Sequence, residues 1–169
     1  MFSPQSINRP LLRSNFQTGS KRCNDFIQSV IAEASGIADA LAGYILTPLL
    51  PTNFNGNDAL NLYTQARQNG NVSASGNSGV TILPNGDRQT TYGTTVGRVT
   101  QWNNEFYDLS AANRGFHTIH ESLHHIRGFS DQALAEAARR TIGRDGSTPT
   151  EMSEASAYFN AILREYCND

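Results

Sequence analysis

The stretch Phe116-His117-Thr118-Ile119-His120-Glu121-Ser122-Leu123-His124-His125-Ile126-Arg127-Gly128-Phe129-Ser130-Asp131 decides how the rest of the chain is read. All four histidines of the protein lie in it. Within it, His120 to His124 spell His-Glu-x-x-His. Residues four apart stack on one face of a helix, so His120 and His124 can present two imidazoles to one ion. Glu121 sits beside that face, where its carboxylate could take a proton from a metal-activated water. At about 100° per residue, Phe116, Ile119, Leu123 and Ile126 form one stripe, and His117, His120, Glu121 and His124 an adjacent one. Thr118, Ser122 and His125 point away from both, which predicts a helix with a core face, a metal face and a third, outward polar face. Gly128 then permits a sharp turn that could aim Asp131 back towards the histidines.

A zinc ion that performs hydrolysis needs three protein ligands and an open position. His120 and His124 supply two of them. Asp131 is the first choice for the third, although the same residue also reads as the N-cap of the next helix. Glu154, on a later helix, and His117, one turn upstream, are the alternatives; Glu151 is better read as a capping residue. Arg114 and Arg127 flank the motif and could polarise a carbonyl, or simply be solvated. Tyr158 and Tyr166 could do the same but fall on an apolar face, and His125 reads as a bystander. With zinc bound, a water with a pKa near about 7 and Glu121 as general base make a hydrolase. Two other readings use the same residues: a non-catalytic binding or structural module, and a metal hydrolase of a non-peptide amide or ester. The plain alternative is a surface helix whose polar residues happen to be histidine.

At 169 residues the chain suits one domain with a real core and is short for two. Only 17% of its residues are charged and 38% are apolar, with a mean hydropathy of −0.45. That polar, weakly charged composition leans towards an extracellular setting. A net charge of −2 gives no electrostatic footprint for nucleic acid or anionic membrane. No apolar run reaches the roughly 18 residues of a membrane span. Residues 1–6 show no apolar signal-peptide segment, which leaves a cytosolic chain or a piece of a longer secreted polypeptide. Cys23 and Cys167 bracket the folded region. A bridge between them, worth about 4–5 kcal/mol in the chain-entropy model, is expected rather than two thiols.

Residues 1–22 carry Pro4, Pro10 and Gly19 without periodicity and read as an extended arm; 23–169 read as one domain. Phe26, Ile27, Val30, Ile31, Ala34, Ile37, Leu41 and Ile45 follow helical spacing, with Gly36 expected to bend or interrupt the helix. Pro48 and Pro51 open a loop, after which Asn57 or Asp58 can cap a helix that runs to Gln68 and stops at Asn69-Gly70. Residues 73–78 read as loop. Residues 79–83 and 88–92 flank Pro84-Asn85-Gly86-Asp87, the strongest hairpin signal in the chain. Residues 96–100 and 102–109 supply two more candidate strands, with Gly93 and Gly97 at turns or bulges. The sheet is thus expected to hold three or four short, mostly antiparallel strands. Ser110 or Asn113 starts the histidine helix, Ser130 or Asp131 the next. Thr148-Pro149-Thr150-Glu151 matches a capping box ahead of the last helix. The fold class is α+β: N-terminal helices, a small sheet, the metal helix and C-terminal helices.

At His120-Glu121-Ser122-Leu123-His124 the chain resembles the zincin metallopeptidases, whose active-site helix carries the same His-Glu-x-x-His. Metzincins extend that pattern through a glycine to a third histidine or an aspartate. Here Gly128 and Asp131 each fall one position late for it, so the likeness is to zincins in general. It is also similar to the small metallopeptidase domains of bacterial RHS-repeat and related secreted proteins. The shared features are Cys23-Asn24-Asp25-Phe26 at the domain start, the His-Glu-x-x-His helix, and Cys167 near the end. The resemblance covers roughly residues 23–169. It implies a zincin-like fold, Zn2+ as cofactor, a peptide or protein substrate, and bacterial secretion as part of a larger polypeptide. It also supports the Cys23–Cys167 bridge. In zincins a strand edge beside the metal holds extended peptide, a task for 96–100 or 102–109.

Overall fold

The computed structural model describes residues 20–41 and 56–167. Most of the expected arm over 1–22, the continuation of the first helix to Ile45 and the loop at Pro48 and Pro51 lie outside these residues. Among the described residues there are five α-helices and five short strands. In chain order these are α1 (Lys21–Leu41), α2 (Gly56–Gln68), β1 (Val72–Ala74), β2 (Val80–Ile82), β3 (Arg88–Thr90), β4 (Gly93–Val96) and β5 (Val99–Trp102). A 3-10 turn (Asn104–Asp108) then leads into α3 (Ala111–His124), α4 (Asp131–Thr141) and α5 (Met152–Cys167). The class is α+β, with the sheet work confined to the middle of the chain.

The chain divides into two compact units. One is Leu60–Gly128; the other combines the described parts of Gly19–Ala59 and Phe129–Asp169. In the first unit a three-stranded sheet runs in the order β1-β5-β4, and β2 pairs with β3 in a separate hairpin. β4 and β5 are antiparallel, with Val96 opposite Val99 and Thr95 opposite Thr100. Only Gly97 and Arg98 join them. Gly97 takes φ of 64°, as the first position of such a two-residue turn requires. Gly93 is fixed for a different reason: a Cβ there would lie 2.5 Å from the ring of its pairing partner Trp102. That indole is fully buried, stacks on Phe106 at 3.9 Å and donates its Nε1–H to Tyr63 Oη at 3.1 Å.

Three sequence expectations change here. Ser73 and Ala74, expected as loop, belong to a strand (Val72–Ala74) parallel to β5, where they pair with Gln101 and Trp102. Two of its three residues are the start of the Ser/Gly/Asn-rich stretch 73–78, whose composition hid them. Residues 102–109 are not a strand: Trp102 ends β5, and the 3-10 turn follows, held by Arg114 Nη1 donating to the carbonyls of Tyr107 and Leu109 at 3.3 and 2.8 Å. The stretch 96–100 is split between the end of β4, the turn and the start of β5. The hairpin at Pro84-Asn85-Gly86-Asp87 forms as expected, with Gly86 at φ of 86° and Leu83 N–H donating to Asp87 O at 2.8 Å.

The second unit is helical. Phe26, Ile27, Val30, Ile31 and Ala34 make the buried stripe of α1. Gly36 continues the helix without a break. α4 contributes Leu134, Ala135, Ala137 and Ala138, and α5 contributes Ala155, Phe159, Ile162 and Leu163. The last helix starts at Met152, later than the proline predicts, and its cap is Glu151, which accepts from Glu154 N–H at 2.9 Å. Thr148, the expected capping residue, instead donates to Glu136. Cys23 and Cys167 form a disulfide across 144 residues, joining the first turn of α1 to the end of α5. Beside it Tyr166 stacks on Phe26 at 4.6 Å, and the Arg22 guanidinium lies over the Tyr166 ring at 4.4 Å.

Closing so long a loop removes most of its cost from the unfolded chain, about 5 kcal/mol in the entropic model. Reducing the bridge, or the double substitution C23S/C167S, should lower the free energy of unfolding by about 3–5 kcal/mol in urea melts; a loss below about 1 kcal/mol would contradict this. On α4, hydrogen bonding from Arg139, and then from Arg140, draws the Glu136 carboxyl down to about 2. A lowered carboxyl stabilises the fold above its unfolded value, near about 4.3, and loses that contribution as pH falls towards 2. E136Q should therefore be less stable than wild type at pH 7, with the gap closing between about pH 5 and pH 2 in the same melts.

Candidate metal centre

Ser110 caps α3 through its hydroxyl, which accepts from Asn113 N–H at 3.3 Å, and this fixes the helical phase that the histidines inherit. The sequence predicts a helix with an outward polar face. Instead, apart from the half-buried His117, every residue from Gly115 to Ile126 is buried, including Thr118, Ser122 and His125. Polar side chains survive there because they are matched. Thr118 Oγ1 donates to Arg114 O at 2.8 Å and Ser122 Oγ to Thr118 O at 2.6 Å, each turning its hydroxyl back onto its own helix. The helix then tightens, with His125 and Ile126 N–H reaching back three residues. Left-handed Arg127 (φ 54°) and Gly128 (φ 67°) end it.

His120 and His124 are 4% and 6% exposed, and their Nε2 atoms approach to 3.0 Å. Two nitrogen ligands on one tetrahedral zinc, each at about 2.0–2.1 Å, lie about 3.3 Å apart. The two imidazoles therefore converge on one point with nearly the separation that one ion imposes, and their donor chemistry fits zinc. Without an ion, one Nε2–H must donate to the other ring. Glu121, 7% exposed, is hydrogen-bonded to the sheet: Thr95 Oγ1 on β4 donates to its Oε2 at 2.6 Å.

Thr95 Oγ1 lies 2.7 Å from Thr100 Oγ1, and Thr100 Oγ1 lies 2.7 Å from His125 Nε2. His125 is thus no bystander. It is 3% exposed, edge-on to the Tyr63 ring at 5.6 Å, and it lines a recess with Leu62, Gln65, Asn71 and Arg98. Burial, together with the nearby His124 and Arg98, holds its imidazole down at about 4. The two threonines were not among the residues picked out by sequence. Their signal was the hairpin itself, since the two-residue turn at Gly97 sets Thr95 opposite Thr100 on one face.

The remaining sequence candidates are placed as follows. His117 is half-buried with its ring 4.5 Å from that of Tyr92. Asp131 is the first residue of α4, half-buried; the N-cap of that helix is Ser130, whose Oγ accepts from Ala133 N–H at 3.1 Å. Asp131 is therefore not committed to the capping role that competed with its use as a ligand. Glu154 is exposed on α5, and Glu151 is used as a cap. Arg114 is committed to the carbonyls ahead of α3, not to a substrate. Tyr158 lies under Arg144, and Tyr166 lies against Phe26. Of the strands, β5 is interior to its sheet and β4 is at the edge, beside the glutamate. No protein-family model, no curated protein and no solved structure matches this chain.

Proposed function

We propose that the protein is a zinc-dependent metallopeptidase of zincin type, in which His120, His124 and Asp131 hold the ion and Glu121 is the general base. The observation that carries this reading is the pair of buried Nε2 atoms 3.0 Å apart with a buried carboxylate next to them in the chain. Two imidazoles and a carboxylate within twelve consecutive residues form a donor set suited to one ion. Asp131 follows His124 by only seven residues, with left-handed Arg127 and Gly128 between them. Bound there, zinc would supply Lewis acidity to acidify a water and polarise a carbonyl. Glu121 would accept the proton of the attacking water and pass it to the leaving amine. Among the described residues β4 is an edge strand of its sheet, and we take its outer edge, which includes Val96 of the suggested 96–100 stretch, as the place for an extended peptide.

The setting is read the same way. The disulfide is compatible with an oxidising, extracellular environment. Among the described residues no helix is long and apolar enough to cross a membrane.

The purified protein should carry about one zinc per chain, removable by a chelator with loss of peptide cleavage. Glu121→Gln should keep the zinc and lower kcat by about 10²–10⁴-fold, the usual worth of a positioned acid–base group. Protein purified in the presence of zinc that retains none, or a Glu121→Gln variant as active as wild type, would contradict the reading. Asp131→Asn should weaken zinc retention without unfolding the protein, measured by competition with a chromogenic chelator; unchanged affinity would remove Asp131 from the ligand set.

A further inference from the structure

We propose that Thr95 and Thr100 are positioning residues for Glu121, forming with His125 a hydrogen-bond chain of fixed direction that holds the base in its working orientation. This rests on the reading of Glu121 as general base. The direction follows from proton counting. A carboxylate only accepts, so the single hydroxyl hydrogen of Thr95 is given to Glu121 Oε2 at 2.6 Å. Thr95 Oγ1 can then only accept across the 2.7 Å to Thr100, which gives its own hydrogen. Thr100 Oγ1 in turn accepts from His125 Nε2–H at 2.7 Å. Every hydrogen in the chain is assigned by the carboxylate at one end, and it sets which ring nitrogen of His125 is protonated at the other.

The strand does not need these hydroxyls. Thr100 is fully buried and central in the sheet, a place where valine has the same shape and a better strand and burial preference. A buried hydroxyl is costly unless matched, and here both threonines spend theirs on one line that ends at Glu121. The four side chains come from opposite positions of the β4–β5 hairpin and from residues four apart at the end of α3, Glu121 within it and His125 as its C-cap. A base that must take a proton and give it back gains from being held in one rotamer. Its second oxygen, Oε1, is not used by this chain.

The test is a set of single variants assayed with the best-cleaved member of an internally quenched peptide library, alongside zinc content and melting temperature. Thr95→Val should lower kcat about tenfold or more with KM and zinc content unchanged, Thr95→Ser should restore most of it, and Thr100→Val should give a smaller loss in the same sense. Glu121→Gln serves as the control. If Glu121→Gln is inactive while Thr95→Val keeps the wild-type kcat, the positioning role is overturned and the base stands. A loss in Thr95→Val that Thr95→Ser does not restore also overturns it, because the hydroxyl is then not what matters. If Glu121→Gln is indistinguishable from wild type, the base reading falls and the proposal falls with it.

Discussion

A helix that is buried around its circumference cannot carry three histidines, a glutamate, a threonine and a serine unless each polar group is matched. That constraint shapes the first unit. Thr118 and Ser122 answer it locally, by bonding carbonyls one turn back on α3. His125 and Glu121 answer it through the sheet, by way of Thr100 and Thr95. His120 and His124 answer it by converging on each other, their Nε2 atoms 3.0 Å apart, the separation on which the proposed metal centre rests. The sheet's details follow: Gly97 must turn the chain in two residues so that Thr95 faces Thr100, and Gly93 must lack a Cβ so that Trp102 can close against β4.

The second unit is stabilised differently. Its apolar stripes on α1, α4 and α5 are ordinary helical faces, rich in alanine and light in large side chains on α4. The disulfide from the start of α1 to the end of α5 compensates by restricting the unfolded chain, and the Glu136 clasp with Arg139 and Arg140 adds a charged contribution on α4. Asp131, the proposed third ligand, is the first residue of α4, and the N-cap of that helix is Ser130.

Much of this was legible in the sequence, for identifiable reasons. Helical spacing gave the buried stripe of α1 and the four-residue separation of His120 and His124. Asn85-Gly86 gave the β2–β3 hairpin, and two lone cysteines gave the bridge. What was not legible is what depends on tertiary placement. Three apolar positions per two turns cannot reveal that Thr118, Ser122 and His125 are buried as well, because small polar residues hide inside when their bonds turn inward. The strand at Val72–Ala74 is only three residues long and runs into the Ser/Gly/Asn-rich stretch that follows, too short for an alternating pattern to register. Trp102 to Leu109 has the composition of a strand, yet Arg114 holds its carbonyls in a 3-10 turn. The chain of Thr95 and Thr100 joins residues of unremarkable type that only the hairpin register brings together.

The most direct measurement is anomalous diffraction at the zinc absorption edge from crystals of protein purified without chelator. The expected result is one strong peak per chain, about 2.0–2.1 Å from His120 Nε2 and from His124 Nε2, with a carboxylate oxygen of Asp131 in the same shell. A map with no peak there, and the two imidazoles hydrogen-bonded directly to one another, would contradict a metal centre on this helix.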